Sequence, residues 1–413
     1  MLNFTKKLKT IWWRTKSFVV RCYYGNPSKK LKIVGVTGTS GKTTTATLLY
    51  RIALGLGYKV GLISTVENMI NDEKLGANNI GPGTTPDSVT LTKIFKKMVD
   101  AGCEYVFMEV SSHSVMQRRI VGINFAGGVF TNLSQDHLDY HKDMQDYFQA
   151  KKGFFKILSP CAFALSNADD VYGNKILEGI NARKFLYGFN TNADFKGEIV
   201  KLDFFGLELK FNQKPVKSKL IGKFNAYNLL AVWSACSLLG FETNKVNKII
   251  ENIQPPRGRF EHFTSKSGVV VIVDYAHKPD ALEKIFSAIK ETKTTSGKII
   301  SVFGCGGDRD PFKRPVMGKI GAINSDIAIF TSDNPRSEDP DKIIAQMKTN
   351  LSAKDMVKVR TIPNRREAIL EAVKIAQSGD IVLVAGKGHE DYQIIKGVKS
   401  HFDDMEELKK AYK

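Results

Sequence analysis

The chain has 413 residues, a length that suits two α/β domains better than a single hydrophobic core. Lys and Arg total 61 against 42 for Asp and Glu, and the net charge of +19 favours anionic partners such as nucleotides, phosphorylated sugars, nucleic acid or an acidic membrane surface. Five cysteines without paired spacing argue against a disulfide framework or zinc site, and we find no membrane-spanning run or secretion signal, so a cytoplasmic protein is expected.

The first segment, residues 1–30, interleaves basic residues with aromatic ones such as Trp12, Trp13 and Tyr23, and ends at the turn Gly25-Asn26-Pro27. This pattern predicts a basic amphipathic helix. Such a helix either packs on the following domain with its charges solvated or contacts a membrane surface, and the sequence leaves both interpretations open.

Residues 31–256 and 257–413 each alternate β-branched runs with helical stretches, and two prolines, Pro255 and Pro256, separate them. The pattern predicts an α/β fold with two doubly wound parallel sheets, a phosphate-binding central domain and a Rossmann-like C-terminal domain. Ligands of such sheets bind beyond the carboxyl ends of the strands, where this chain carries its polar motifs.

The segment TGTSGKTT, residues 37–44, lies between a predicted strand and a predicted helix, as a phosphate-binding loop does. Glycines allow backbone N–H groups to approach phosphates, Lys42 can reach the terminal phosphates, and Thr43 can bind Mg²⁺. We therefore expect nucleotide contacts from the following residues of the loop: Gly38, Thr39, Gly41, Lys42, Thr43 and Thr44.

Two further strand ends carry ionisable groups. Glu109 ends the strand YVFME and is a hard oxygen ligand suited to Mg²⁺, although a lone strand-end carboxylate is more often solvated or salt-bridged. His137 lies in TNLSQDHLDYH, where the density of polar groups indicates coordination or catalysis rather than a structural histidine.

We find no nucleic-acid recognition motif, so nucleic acid is not an expected partner.

Ten motifs occur in one order from residue 31 onward: GTSGKTTT, TTPD, MEVSSH, TNLSQDHLDYH, GRFE, DYAHKPDAL, FGCGGDRD, KRP, DNPRSEDP and GKGHEDYQ. Together they resemble the Mur ligases of the MurE type, which phosphorylate a carboxylate with ATP and let an amine displace the phosphate. The resemblance implies a monomeric ATP- and Mg²⁺-dependent ligase of peptidoglycan precursor synthesis. Its muramyl-peptide acceptor would be UDP-MurNAc-L-Ala-D-Glu and its diamino acid meso-diaminopimelate.

The resemblance also assigns roles to single residues. Catalysis would involve Lys42, Glu109, His137 and a carbamylated Lys151, with the metal held by Thr43, Glu109, His137 and Lys151. The second domain would contact the nucleotide through Arg259, Asp274, Tyr275 and His277. The acceptor would be bound by Thr84, Thr85, Ser111, Gln117 and Arg119. The amino acid would be bound by Arg309, Asp333, Asn334, Pro335, Arg336, Gly386 and Glu390.

Several alternatives stay open. The guanidinium of Arg336 can pair with the distal carboxylate of meso-diaminopimelate, which L-lysine lacks, or it can brace its own loop through Glu338 or Asp339. The ligase could use L-lysine or a lipid-linked or pseudomurein-type carrier, or the chain could be a catalytically lapsed scaffold. Family members also carry a uridine-nucleotide-binding domain where this chain has only residues 1–30, so acceptor recognition is expected to differ.

Overall fold

The computed structural model describes residues 18–76, 83–137, 140–293 and 296–413. They form two compact units: the first comprises the described residues up to Ile253, except Leu202–Phe205 and Ile221–Lys223, which belong with Gln254–Lys413 in the second. Of the predicted N-terminal helix, residues 1–17 lie outside the described residues, and Tyr23 is 82% exposed. No helix in the described ranges has the length and apolar character needed to cross a membrane.

The first unit is built on one large sheet. Its eleven strands within the described ranges are β1 Lys32–Thr37, β2 Val60–Ile63, β3 Asn68–Ile70, β4 Glu73–Lys74, β5 Tyr105–Glu109, β6 Phe125–Phe130, β7 Phe163–Asn167, β8 Arg183–Gly188, β9 Phe195–Asp203, β10 Gly206–Phe211 and β11 Lys214–Ser218. They are ordered β11-β10-β9-β8-β7-β6-β1-β5-β2-β3-β4. The run from β9 to β2 is parallel, whereas β3, β4 and the pair β10–β11 are antiparallel additions.

Five helices of this region connect successive strands of the sheet, and two more, α6 and α7, follow its last strand. They are α1 Lys42–Gly55, α2 Ser88–Asp100, α3 Ser112–Met116, α4 Met144–Lys156, α5 Gly173–Leu177, α6 Lys223–Leu238 and α7 Thr243–Asn252. A 3₁₀ turn, Pro27–Lys30, precedes β1. Strands β1 and β5 are buried at nearly every position, as expected for parallel strands covered on both faces.

Strand β1 lies between β5 and β6, and this neighbourhood creates the site. The register pairs Val36 with Glu109 and Thr37 with Phe130, so the three strands end at nearly the same level. The loops that begin at residues 38, 110 and 131 therefore emerge side by side at the carboxyl edge of the sheet, where ligands of α/β folds bind.

The second unit contains a six-stranded sheet in the order β12-β13-β17-β14-β15-β16 and a separate hairpin. Its strands are β12 Glu261–Thr264, β13 Val270–Asp274, β14 Ile299–Phe303, β15 Ile327–Phe330, β16 Val359–Thr361 and β17 Ile381–Ala385, with the hairpin strands β18 Tyr392–Ile395 and β19 Val398–His401. Its helices are α8 Pro279–Thr292, α9 Lys313–Asn324, α10 Pro340–Lys348, α11 Ala353–Met356, α12 Arg365–Ile375 and α13 Asp404–Ala411.

Only β12 is antiparallel in this six-stranded sheet. The predicted α/β fold with two mainly parallel sheets is thereby confirmed. The loops after β13, β14, β15 and β17 carry the residues predicted to bind nucleotide and amino acid, so these residues also lie at carboxyl ends of parallel strands.

Candidate active site

The loop between β1 and α1 has the backbone shape of a phosphate-binding loop. Gly38 (φ 152°) and Gly41 (φ 83°) occupy conformations that favour glycine, and a Cβ at Gly38 would overlap the hydroxyl of Thr131. Lys42 Nζ donates to the carbonyl oxygens of Gly38 (3.0 Å) and Thr39 (2.8 Å). The lysine thus lies across the loop at the N-terminus of α1, where anions are favoured.

The end of β6 holds this loop in place. Thr131 Oγ1 donates to Ser40 O (2.7 Å), Ser40 N donates to Asn132 Oδ1 (2.9 Å), and Thr39 N donates to Asn132 O (2.8 Å). On the other side, a Cβ at Gly41 would lie 2.5 Å from Asn228 Oδ1 of α6. The loop conformation is therefore fixed by protein contacts alone, before any phosphate is bound.

Lys151, on α4, is enclosed beneath the same loop. It is 1% exposed, its Nζ donates to Gly38 O (2.7 Å), and the Nζ lies 4.6 Å from the centre of the Tyr147 ring. Burial, followed by the nearby cation of Lys42, holds the pKa of Lys151 well below its ordinary value. The lowered pKa increases the fraction of neutral amine at Lys151, and a neutral amine is what reaction with CO₂ requires.

Glu109 and His137 reach the same edge of the sheet. Glu109 is 1% exposed and its Oε1 accepts a hydrogen bond from Thr65 N (2.7 Å). His137 adopts a positive φ of 55°, with its Nε2 3.5 Å from Asp136 Oδ2 and its ring 5.2 Å from that of His113. The predicted ligands thus reach this edge on the ends of β5 and on the loop after β6.

The donor chemistry fits Mg²⁺ bound together with a nucleotide. In the described ranges no group of three or more His, Cys, Asp or Glu residues is arranged to hold a metal, so the protein offers no complete cage of its own. Mg²⁺ is commonly bound by one or two carboxylates together with substrate phosphates. The buried Glu109 carboxylate and the Thr43 hydroxyl at the first turn of α1 match that requirement.

The predicted acceptor residues form one hydrogen-bonded network at the end of β5: Thr84, Thr85, Ser111, Gln117 and Arg119. Thr85 donates its hydroxyl to Glu109 O (2.9 Å) and accepts from Ser111 N (3.2 Å). Arg119 donates to Thr85 O (2.5 Å) and to Gln117 Oε1 (2.9 Å). The network places a guanidinium, an amide and hydroxyls beside Glu109, a set suited to an anionic peptide.

A buried histidine, His141, lies next to this network and is bonded to two of its neighbouring residues. His141 Nε2 lies 2.9 Å from Ser112 Oγ, and His141 Nδ1 lies 3.2 Å from Asp146 Oδ2. If Asp146 accepts from Nδ1–H, the Nε2 atom accepts from the serine hydroxyl. The His141 bonds therefore join the start of α3, next to Ser111, to the start of α4.

In the second unit, the residues predicted to contact the nucleotide surround Tyr275. The guanidinium of Arg259 lies 5.0 Å from the Tyr275 ring centre, and the rings of His277 and His389 lie 4.4 Å and 4.7 Å from it. Burial lowers the pKa of both histidines to about 4, so both are neutral at pH 7. Arg259 Nε and His389 Nδ1 are buried atoms that have no hydrogen-bond partner within the described part of the chain.

Asp274 has a structural position at the end of β13. Its carboxylate accepts hydrogen bonds from Phe260 N (2.7 Å) and Ala276 N (2.8 Å) and so ties the start of β12 to the loop after β13. Burial raises its pKa to about 6, although Arg259 and the backbone hydrogen bonds act in the opposite direction.

The predicted amino-acid residues gather around Asn334. Glu390 Oε2 accepts from Asn334 Nδ2 (2.8 Å), and Asn334 Oδ1 accepts from Lys387 Nζ (3.3 Å). A Cβ at Gly386 would lie 2.6 Å from Asp333 Oδ2, so a glycine is needed there for Asp333 to approach. Burial and the Asp333 carboxylate raise the pKa of Glu390, whereas burial lowers that of Lys387.

Arg336 and Arg309 both lie at Gly306. A Cβ at Gly306 would be 3.0 Å from Arg336 Nη1 and 3.8 Å from Arg309 Cγ. Arg336 Nη1 donates to Gly307 O (2.7 Å), whereas Glu338 is paired with Arg314. Arg336 therefore contacts the neighbouring loop through a carbonyl group, and its predicted alternative partner Glu338 is bound elsewhere.

Comparison with known proteins places this geometry in a family. The chain is 49% identical over 394 residues to the UDP-N-acetylmuramoyl-L-alanyl-D-glutamate--2,6-diaminopimelate ligase of Bacteroides thetaiotaomicron, covering 95% of this chain and 81% of that protein. Residues 36–236 match the Mur ligase middle domain, and residues 258–388 match the domain described as "Mur ligase, glutamate ligase domain". The chain belongs to the Mur ligase family.

Solved structures agree with this assignment. A structure of UDP-N-acetylmuramoyl-L-alanyl-D-glutamate--2,6-diaminopimelate ligase is 33% identical to this Mur ligase, with a TM-score of 0.68 over 92% of this chain and 78% of the other. The folylpolyglutamate synthase of Mycobacterium tuberculosis complexed with ADP is 17% identical, with a TM-score of 0.71 over 90% of this chain and 91% of that one. The latter similarity concerns the fold alone.

Sequence reasoning about this Mur ligase missed four polar residues that the fold brings to the predicted sites: Asn132, His141, Asn228 and His389. Asn132, His141 and His389 lie inside motifs that carried the resemblance, so their position was a usable signal. Asn228 lies within a helix far along the chain from residue 41, and only the tertiary structure brings it to the loop.

Proposed function

We propose that this Mur ligase joins meso-diaminopimelate to the D-Glu carboxylate of UDP-MurNAc-L-Ala-D-Glu in an ATP-dependent reaction of peptidoglycan precursor synthesis. The observation that carries the proposal is the common edge of β1, β5 and β6. There the phosphate-binding loop, the buried Glu109 carboxylate and the acceptor network around Thr85 lie at the ends of adjacent strands. The likeness to relatives that are named for this reaction supports the choice of substrates.

In the first half of the reaction the acceptor carboxylate attacks the terminal phosphorus of ATP, giving an acyl phosphate and ADP. Lys42 binds the transferred phosphoryl group, since its ammonium already lies across the loop at the N-terminus of α1. Arg119 and Gln117 orient the anionic peptide at the end of β5. In the second half, the amine of the amino acid attacks the acyl carbon and phosphate leaves.

Mg²⁺, held by Thr43, Glu109 and His137, would neutralise developing charge on the phosphate oxygens. Lys151 takes part as a carbamate: its neutral amine adds to CO₂ and releases one proton, which leaves a buried anion in place of the amine. The lowered pKa of Lys151 and its position against Gly38 O support this role.

The second unit selects the amino acid. The guanidinium of Arg336 near Gly306, with Arg309 on the same loop, suits the distal carboxylate of meso-diaminopimelate, while Glu390 and Asp333 suit its ammonium groups. Arg259 and Tyr275 bind the nucleotide, since a guanidinium whose Nε has no hydrogen-bond partner among the described residues lies over a partly exposed aromatic ring. His277 and Asp274 hold this pair in place through their backbone contacts.

We further propose a cytoplasmic monomer. The five cysteines are all free, which fits a reducing compartment. Size-exclusion chromatography with light scattering tests the oligomeric state, and sedimentation with anionic vesicles tests contact between residues 1–30 and a membrane surface.

Phosphate release from ATP, measured over a panel of amino acids with UDP-linked and UDP-free L-Ala-D-Glu acceptors, tests the proposed function directly. Release that depends on both meso-diaminopimelate and the UDP-linked acceptor is expected. Release with L-lysine alone, or with UDP-free acceptors alone, would replace the proposed substrates.

A further inference from the structure

Arg314 is a buried cation that belongs to none of the roles given above. It occupies the second position of α9 and is 1% exposed. A buried guanidinium is costly unless its hydrogen bonds are satisfied, so its partners indicate what it stabilises.

The partners of Arg314 come from two loops and one helix. Its Nη1 and Nη2 form a bidentate pair with Glu338, both bonds being 2.8 Å. Nη2 also donates to Gly306 O (3.2 Å), and Nη1 donates to Gln346 Oε1 of α10 (2.6 Å). Its Nε is buried without a hydrogen-bond partner among the described residues, and because Arg314 has almost no exposed surface, this donor does not reach a bound amino acid.

These contacts lie directly behind Arg336 and Arg309. Glu338 follows Arg336 by two residues, and its Oε1 also accepts from Asp308 N (2.5 Å), next to Arg309. Gly307 N donates to Asn334 O (2.9 Å), which joins the two loops a second time. The buried guanidinium of Arg314 therefore joins the loop after β14 to the loop after β15 from the protein interior, together with the Gly307–Asn334 and Arg336–Gly307 bonds.

We propose that Arg314 is a positioning residue for amino-acid selection: through Glu338 and Gly306 it holds together the loops that carry Arg309 and Arg336, and so fixes where the Arg336 guanidinium meets a second carboxylate. The inference rests on the proposed function and extends it to a residue that does not touch substrate. Lysine cannot replace Arg314, because an ammonium lacks the planar fork that binds both oxygens of Glu338 while reaching Gly306.

Steady-state kinetics of Arg314→Lys with meso-diaminopimelate, L-lysine, ATP and acceptor test the proposal. We expect the KM for meso-diaminopimelate to rise at least about fivefold, since a small displacement of a binding group weakens a fork-to-carboxylate contact. The KM values for ATP and acceptor should stay within about twofold. The preference for meso-diaminopimelate over L-lysine should fall in parallel.

Two further variants separate positioning from general stability. Arg366→Lys is the matched control, because Arg366 pairs with Glu407 in the same unit but is exposed, and it should leave every KM unchanged. Glu338→Gln keeps the shape of the carboxylate and should reproduce the Arg314→Lys effect, and the double variant should be no worse than the worse single variant.

The outcomes distinguish the inference from the function on which it rests. If the wild-type chain forms no product with meso-diaminopimelate, the proposed function fails. If the wild-type chain is active and both Arg314→Lys and Glu338→Gln keep its KM and preference, or raise all KM values together, the positioning role is wrong.

Discussion

The two predicted sites are built in different ways. Around Lys42, the geometry comes mainly from the backbone: strand register, glycine conformations and carbonyl oxygens hold the loop, and the side chains of Thr131 and Asn132 bond to its backbone. Around Arg336, it comes from side chains: the loops after β14 and β15 are joined by the Arg314–Glu338 pair and by the guanidinium of Arg336 itself.

The difference matches what each site has to recognise. A phosphate is the same in every turnover, and a backbone loop at a helix N-terminus can be specific for it without depending on any one side chain except the lysine. The amino acid is the variable part of the reaction, and side-chain pairs can be altered by single substitutions. We therefore expect substitutions in the first region to abolish the reaction and those in the second to change its specificity.

The strongest test is Lys42→Ala, for which a loss of about 10³-fold or more in kcat is expected because the transferred phosphoryl group loses its cation. The side chain of Lys42 is partly exposed and donates to loop carbonyls rather than packing in the core, so thermal unfolding should be unchanged within error. A folded variant that makes product at the wild-type rate would refute the phosphate-loop assignment.

Lys151→Ala should be nearly as damaging, by about 10²-fold or more, because the placed anion is lost. A short carboxylic acid in the buffer should partly restore activity. Because burial lowers the pKa of Lys151, its amine becomes neutral at a lower pH than that of an ordinary lysine, so wild-type activity near pH 7 to 8 should fall in CO₂-free buffer and return with bicarbonate.

Lys152→Ala is the matched control for that experiment, since the neighbouring Nζ donates to Lys175 O and lies in a less buried position. It should retain full activity and the same response to bicarbonate. If both variants lose activity equally, the effect of Lys151→Ala would come from disruption of α4 and not from loss of the carbamate.

Arg336→Ala should change the amino-acid specificity and not abolish the reaction. We expect the preference for meso-diaminopimelate over L-lysine, at least about tenfold in kcat/KM in the wild type, to disappear because a charge-assisted pair commonly exceeds the free energy of a tenfold change. Competition assays on both proteins measure it. Equal losses for the two amino acids would make Arg336 part of the loop architecture only.

The variant His141→Phe tests whether side-chain contacts also support the geometry of the first region. The variant removes the bonds to Ser112 and Asp146 and should lower the free energy of unfolding by about 1–3 kcal/mol, since a buried hydroxyl loses its partner. The KM for the acceptor should rise more than that for ATP, because Ser112 adjoins Ser111. Urea denaturation and steady-state kinetics check both; unchanged stability would remove His141 from the support of the site.

The smallest effect is expected at Asp169, beyond the end of β7. Its carboxylate accepts from Phe189 N and Thr191 Oγ1, and such hydrogen bonds lower its pKa to about 2 against the opposing effect of burial. A lowered pKa in the folded state adds stability above the ordinary value near 4, and this is lost as pH falls toward 2. The stability difference between wild type and Asp169→Asn should shrink over that interval, and a constant difference would contradict the assignment.

Much of the architecture was predictable because it depends on local signals. Alternating β-branched runs predicted the two parallel sheets, and glycines before Lys42 predicted the loop, since both follow from backbone geometry. The family was predictable because ten motifs occur together, and the comparisons confirmed it. The acceptor residues came from that resemblance, and the structure adds that they share one network.

Other features depend on contacts between distant parts of the chain. Arg314 was visible only as the centre of the motif KRP, and its pairing with Glu338 follows from how α9 packs behind two loops. The burial of Lys151 is likewise a tertiary property, because the spacing of α4 residues does not show that its Nζ lies under Gly38. The partner of a charged side chain is the part of a site that sequence patterns indicate least.

The carbonyl oxygen of Gly38 accepts hydrogen bonds from two lysine side chains, those of Lys42 and Lys151. When both amines are protonated, the two cations repel each other, and each lowers the affinity of the oxygen for the other. Removing the positive charge of Lys151 by carbamylation would relieve that competition, and an anion bound by Lys42 would do the same from the other side. Thermodynamic linkage then requires the two events to favour each other to an equal extent, so the occupancy of the carbamate should rise when a polyphosphate is bound.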